Sequence, residues 1–118
     1  MCNELSITEL STTELSTTKL CQECLEGHIK WTAHTLERMQ ERDIEPSDVV
    51  NCITNGKIIE QYPQAYPYPA CLILGTKDDH TSLHAVVGYG SGFIWIITAY
   101  KPDANEWANG FTVRKEQK

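Results

Sequence analysis

Apolar residues follow two regimes along this chain. Between residues 32 and 55 they recur at helical spacing, and from 57 to 100 they come in short runs broken by turn residues. In the first regime, residues 32–43 predict a helix, with Thr32 as N-cap and Leu36 and Met39 as an inward stripe that Ile44 closes. Pro46 suits the first position of a second helix, where its missing N–H costs nothing. Val49, Val50 and Ile53 give that helix an apolar face, and Asn55-Gly56 ends it with residues that tolerate positive φ. The second regime predicts strands at 57–62, 70–76, 82–89 and 93–100. Segment 62–69 carries Pro63, Pro67 and Pro69 and reads as an extended connection rather than a central strand. Gly90-Ser91-Gly92 is a tight hairpin turn, Pro102 stops the strand before it, and a last short strand is expected around Phe111–Arg114. The result is an α+β fold: two N-terminal helices packed on a four-stranded, mainly antiparallel sheet.

The first quarter of the chain behaves differently. Leu5, Leu10, Leu15 and Leu20 recur every five residues within a Ser/Thr/Glu-rich stretch. That period fits neither a helix nor a strand. Residues 1–27 therefore read as a low-complexity acidic extension whose leucines are free to dock on a neighbour, and 28–118 as a single α+β domain. At 118 residues the chain is one domain's worth.

Charge changes this picture. The net charge is −6, of which −4 falls in residues 1–27 and −2 in the rest. Bulk attraction to nucleic acid needs clustered Lys and Arg and is excluded, whereas a small, locally basic site is not. No apolar run reaches the ~18 residues that span a bilayer, and the N-terminus lacks the basic and apolar regions of a leader. The expectation is a cytoplasmic protein with no membrane partner. Its five cysteines, an odd number, then read as thiols.

Two constellations could carry chemistry. His34, Arg38 and Arg42 are spaced by four and stack on one helix face, a grip suited to phosphate or carboxylate. Glu37 and Glu41 alternate with them, so a solvated, salt-bridged face is the competing reading. The second constellation surrounds His84. If Tyr89 pairs with Phe93, His84 faces Thr98, with Tyr100 one diagonal step away. Ser82, His84, Thr98 and Tyr100 then share a polar face, and Leu83, Ala85, Val87, Trp95, Ile97 and Ala99 face the core. Cys21-x2-Cys24-x3-His28-x5-His34 approaches a compact zinc knuckle, although its last interval fits poorly. The glycines at 88–92 sit between strands and serve a turn, not a phosphate loop. His80 falls in a turn at the surface. No metal or cofactor is expected.

The same residues carry a family resemblance. His34-Thr-Leu-Glu-Arg38-Met-Gln-Glu-Arg42, Pro46-Ser-Asp-Val49, Asn55-Gly56-Lys-Ile-Ile-Glu60, Tyr62-Pro63, Tyr68-Pro-Ala-Cys-Leu72, Leu83-His84-Ala-Val-Val87 and Trp95-Ile-Ile-Thr-Ala-Tyr100-Lys-Pro-Asp103, with Trp107, resemble the bacterial Domain of Unknown Function 4258 family over about residues 30–110. Asp43 stands where a glycine is usual and Glu45 where a capping Ser is usual; Asp tolerates left-handed backbone. Members of this kind resemble the RelE/ParE-like toxin superfamily, often beside a zinc-ribbon or helix-turn-helix antitoxin. The resemblance implies a RelE-like fold and metal-independent mRNA cleavage. Its pattern falls on His34, Arg38, Arg42, His84 and Tyr100, so catalytic roles are expected of His34, His84 and Tyr100 and substrate contacts of Arg38 and Arg42, with Thr98 added from its place on the His84 face; RNA and the antitoxin are the implied partners. A non-catalytic protein-binding module on the same fold is the alternative.

Overall fold

Ser16 opens the first helix of the computed structural model, which describes residues 14–76, 81–108 and 110–114. Its side chain accepts the Lys19 N–H at 3.0 Å and caps helix α1, Thr17–Leu25. Leu20 and Cys24 lie four apart, form one stripe of this helix, and enter the core. Just ahead, the Gln61 amide holds the Leu15 backbone by accepting its N–H (3.0 Å) and donating to its carbonyl (2.8 Å). Among the described residues there are thus three helices where two are expected. The five-residue period of leucines hides the four-residue stripe that docks α1. The repeat up to Thr13, Cys2 and His80 lie outside the described residues.

After strand β1 (Ile29–Lys30), helix α2 spans Ala33–Glu41 and α3 spans Pro46–Asn55. Thr32 caps α2 as expected, accepting the Thr35 N–H at 3.0 Å. Met39 points inward, but Leu36 is 39% exposed. Thr35 takes the inward place instead, its hydroxyl donating to the carbonyls of Ile96 (3.3 Å) and Ile97 (3.4 Å). An open strand edge lies against this helix, and its carbonyls need a donor that leucine cannot supply. Asp43 adopts the left-handed conformation (φ 59°). Before α3, the Glu45 N–H donates to Asp48 Oδ2 at 2.9 Å, so the residue three positions on completes the helix start. Val49, Cys52 and Ile53 are buried and Val50 is half-buried. Gly56 has φ −89°, so positive φ is not why it is there. A Cβ at this position would come within 2.4 Å of the Cys52 and Leu74 carbonyl oxygens.

Four strands follow as an antiparallel meander: β2 (Lys57–Tyr62), β3 (Ala70–Thr76), β4 (Ser82–Gly90) and β5 (Phe93–Tyr100). β1 adds a fifth strand, parallel to β5, giving the order β1-β5-β4-β3-β2. Two residues are too short to show a strand period, which is why the sheet exceeds the expected four strands. Trp107–Ala108 (β6) and Val113–Arg114 (β7) form a separate small hairpin. Helix α3 packs on β3 and β4, and α1 packs on α3 and β5.

The β4–β5 register differs from expectation in two compensating ways. The hairpin loop is only Ser91-Gly92, both at positive φ (55° and 82°), so Gly90 pairs with Phe93. This is the left-handed geometry that two-residue hairpins favour. It turns Ile94 and Ile96 to the core and Trp95 outward. A bulge then sets Val87 opposite Ile96 and Val86 opposite Thr98, and leaves Ile97 unpaired and 51% exposed. Beyond the bulge Ala99 faces inward, and His84 pairs directly with Tyr100.

Leu20→Ala is expected to lower stability by about 2–5 kcal/mol, the usual effect of emptying a buried leucine site. Urea denaturation measures it, and a loss within the ±0.5 kcal/mol typical of surface changes would show that α1 is not part of the core.

Candidate functional site

The outer face of the sheet, opposite the helices, holds a cluster of titratable groups around His84. His84 projects from β4 with none of its surface exposed. A buried imidazole needs partners at both nitrogens. Nε2 lies 2.9 Å from the Phe111 carbonyl oxygen and therefore carries the proton and donates it. Nδ1 lies 3.3 Å from the Tyr100 hydroxyl and accepts from it. Burial holds the His84 pKa below its ordinary value, which keeps the ring neutral. The Trp107 ring packs edge-on at 4.5 Å between centroids, and Tyr100 at 5.3 Å.

An ion pair adjoins this pair of rings. Arg114 Nε donates to Glu60 Oε2 at 3.0 Å and to Oε1 at 3.3 Å, and its Nη2 reaches Oε1 at 3.3 Å. The same Nη2 approaches the Tyr62 hydroxyl at 3.4 Å, and Tyr62 donates to Glu60 through a short hydrogen bond. The guanidinium carbon also stands 4.7 Å above the Trp107 ring. Burial alone would raise the Glu60 pKa, but the Tyr62 hydroxyl and the Arg114 charge outweigh it and hold the carboxyl low. Burial, reinforced by Glu60, pushes the Tyr62 phenol up, and burial raises Tyr100 as well. Strand β2 supplies Glu60 and Tyr62, β4 supplies His84 and β5 supplies Tyr100, with β3 between β2 and β4, and the small C-terminal hairpin supplies Arg114.

The expected site residues divide into groups. His84 and Tyr100 meet, as do Arg42 and Thr98: Arg42 Nη1 donates to Thr98 Oγ1 (3.2 Å) and to the Ala99 carbonyl (2.8 Å). Thr98 and Tyr100 alternate along β5 on one face, so the two pairs form a row. Arg38 sits exposed on α2 with Glu41 at 3.5 Å, as the salt-bridged reading expects. His34 is exposed on α2, and no hydrogen bond or ring contact joins it to this row. Glu60, Tyr62 and Arg114 were not singled out for chemistry. Glu60 and Tyr62 are legible as acidic and phenolic positions in a strand, but nothing local pairs them with an arginine 54 and 52 residues away.

The cysteine and histidine spacing that approaches a zinc knuckle does not assemble. Cys24 is buried, Cys21 Sγ lies 4.0 Å from the Thr54 carbonyl, and His34 is on another helix. His28 Nδ1 instead lies 2.7 Å from Glu23 and 3.7 Å from Glu26. Cys21, Cys24, Cys52 and Cys71 are free thiols, and burial pushes those of Cys52 and Cys71 up to about 12. Among the described residues, no helix is long and apolar enough to cross a membrane.

A family model described as a domain of unknown function (DUF4258) matches residues 31–101. The chain belongs to this family. The matched span contains His34, Arg38, Arg42, Glu60, Tyr62, His84, Thr98 and Tyr100, whereas Trp107, Phe111 and Arg114 follow it. No match was found among curated proteins or solved structures.

The lowered pKa of His84 gives stability a defined pH dependence. Below about 6.5 the unfolded chain binds a proton that folded His84 refuses, so stability falls as pH drops. Glu60 adds a further loss only below the ordinary carboxylate range of about 4.3. Between about pH 7 and pH 5, the melting temperature of wild type is expected to fall more steeply than that of His84→Gln. Equal slopes in thermal denaturation would contradict this.

Proposed function

We propose that this DUF4258 protein is a metal-independent endoribonuclease, the toxin of a bacterial toxin–antitoxin pair. The observation that carries the reading is the phenol of Tyr100 hydrogen-bonded to the neutral Nδ1 of His84, in one row with Arg42–Thr98 and beside Glu60–Tyr62–Arg114. The family's resemblance to RelE-like proteins supports it, as does the order of α2 and α3 followed by a meander.

RNA cleavage of this type joins the 2′-oxygen to phosphorus and breaks the bond to the 5′-oxygen. Tyr100 accepts the 2′-proton while its own proton passes to Nδ1 of His84. The resulting imidazolium is stabilised by the Phe111 carbonyl on Nε2. Arg42 and Arg114 supply positive charge to the phosphorane, and the leaving oxygen takes its proton from water. Return of the His84 proton through Tyr100 to solvent resets the site. Tyr100 is the residue that touches RNA, and His84 acts through it. The mRNA substrate places this activity in the cytoplasm, and a zinc-ribbon or helix-turn-helix antitoxin is the implied partner.

One observation favours a second reading. His84 has no exposed surface and both its nitrogens are engaged, as in a histidine that serves only structure. The cluster would then only fix the C-terminal hairpin to the sheet, and the protein would act as a non-catalytic binding module. Its net charge of −6 suits a basic partner.

The two readings separate on purified protein. Wild type is expected to cut single-stranded RNA to 2′,3′-cyclic phosphate and 5′-hydroxyl ends, undiminished by a metal chelator. Tyr100→Phe is expected to cut roughly 10²–10⁴-fold more slowly, the usual worth of an acid–base group. Intact RNA with wild type, or equal rates for the two, would sink the enzymatic reading.

A further inference from the structure

A groove of about 370 Å³ opens on the same outer face, lined by Tyr66, Pro67, Tyr68, Gly88, Trp95 and Ile97. Its aromatic character is built in. The Tyr68 and Trp95 rings are nearly parallel (24°) at 6.0 Å. Gly90 makes room for this, because a Cβ there would lie 2.0 Å from the Tyr68 ring. The Tyr68 hydroxyl is held by Ser91 Oγ at 2.8 Å, and Trp95 Nε1 donates to the Gly90 carbonyl at 3.1 Å. Against these fixed rings stands the Tyr66 side chain, 95% exposed, with Ile97 half-exposed beside it. Such a wall of fixed and free aromatic faces suits a planar ligand.

Charge and continuity indicate which planar ligand. Lys30 pairs with Trp95 across β1 and β5, and its ammonium lies 4.5 Å over the Phe93 ring. Phe93 in turn meets Trp95 at 6.5 Å. One end of the aromatic row therefore carries an exposed cation. At the other end the same strand continues on the same face to Thr98, held by Arg42, and to Tyr100. Five residues separate Trp95 from Tyr100, about 17 Å at the rise of a strand. Aromatic platforms interleaved with cations along one track are how proteins hold single strands without reading sequence.

Resting on the reading of the Tyr100–His84 pair as an RNA-cleaving centre, we infer that the Tyr66/Trp95/Ile97 groove is a base-binding shelf for single-stranded RNA. A base flanking the cleaved linkage stacks in it, and Lys30 contacts the backbone phosphate beyond. The shelf acts through stacking and accepts any base. The bulge leaves Ile97 unpaired and exposed on this face, next in the chain to Thr98 of the Thr98–Tyr100 row.

The test is fluorescence anisotropy of a labelled, uncleavable 2′-O-methyl single strand titrated with the full chain. Tyr66→Ser and Ile97→Ser alter exposed side chains and leave the fold in place. Each is expected to weaken binding about fivefold or more, in line with the worth of one stacked base. Lys30→Gln is expected to lower the slope of log affinity against log salt by about one. A wild type that cuts RNA while Tyr66→Ser and Ile97→Ser bind as tightly as wild type overturns the shelf alone and assigns the groove to a protein partner. A wild type that neither binds nor cuts RNA overturns the shelf together with the reading beneath it.

Discussion

A histidine sealed inside a protein must find partners for both ring nitrogens, and His84 finds them on two separate pieces of chain. The Nε2 proton goes to the Phe111 carbonyl in the C-terminal segment, and Nδ1 receives the Tyr100 hydroxyl from β5. That requirement fixes where the C-terminal segment lies. Trp107 closes over the imidazole, and Arg114, carried on the same hairpin, arrives over Trp107 and against Glu60 and Tyr62. Besides the histidine, the burial of Trp107 and the contacts of Arg114 with Glu60 and Tyr62 tie the small hairpin to the sheet. Leaving either nitrogen unpaired in a buried site costs about 1–3 kcal/mol, more than the ~0–1 kcal/mol that a single ion pair at the surface returns.

Strand β5 does the corresponding work for the rest of the outer face. Its pairing with β1 covers only Ile94 and Trp95, so carbonyls further along would be left open. Thr35 of α2 takes those of Ile96 and Ile97, and Arg42, at the C-cap of the same helix, takes that of Ala99. The helix is therefore anchored to the strand by polar side chains as much as by Met39. The bulge at Ile97 has an equally specific consequence. It restores inward alternation at Ala99, so that Thr98 and Tyr100 share the outer face with Trp95 although Thr98 lies three positions beyond Trp95, an odd step.

Much of this was legible from local chemistry. Thr32 as a cap, Pro46 at a helix start and the limits of the long strands all follow from neighbouring residues, and Asp43 in left-handed backbone from the glycine usual there in the family it resembles. So does the shared face of His84, Thr98 and Tyr100, although the two-residue turn and the bulge each displace the register that the sequence suggests. The displaced register misassigned Trp95 and Ile97 to the core, because side-chain direction reverses with each single-residue slip. Leu36 looked inward because leucine usually does, but the strand edge beside α2 needed the hydroxyl of Thr35. Arg114 and Glu60 meet only through the tertiary fold, and no spacing rule connects them. Helix α1 was concealed by a repeat whose period is not helical, while the contacts that dock it, Leu20 in the core and Leu15 on Gln61, are long-range.

The central claim is that His84 is a neutral imidazole carrying its proton on Nε2 and open at Nδ1 to the Tyr100 phenol. Nitrogen-15 NMR of the histidine rings at neutral pH reads this directly. The account predicts a protonated Nε2, an unprotonated Nδ1 that accepts a hydrogen bond, and a shift of the Nδ1 signal in Tyr100→Phe. A proton on Nδ1, a fully protonated ring, or an Nδ1 signal indifferent to loss of the Tyr100 hydroxyl would contradict it.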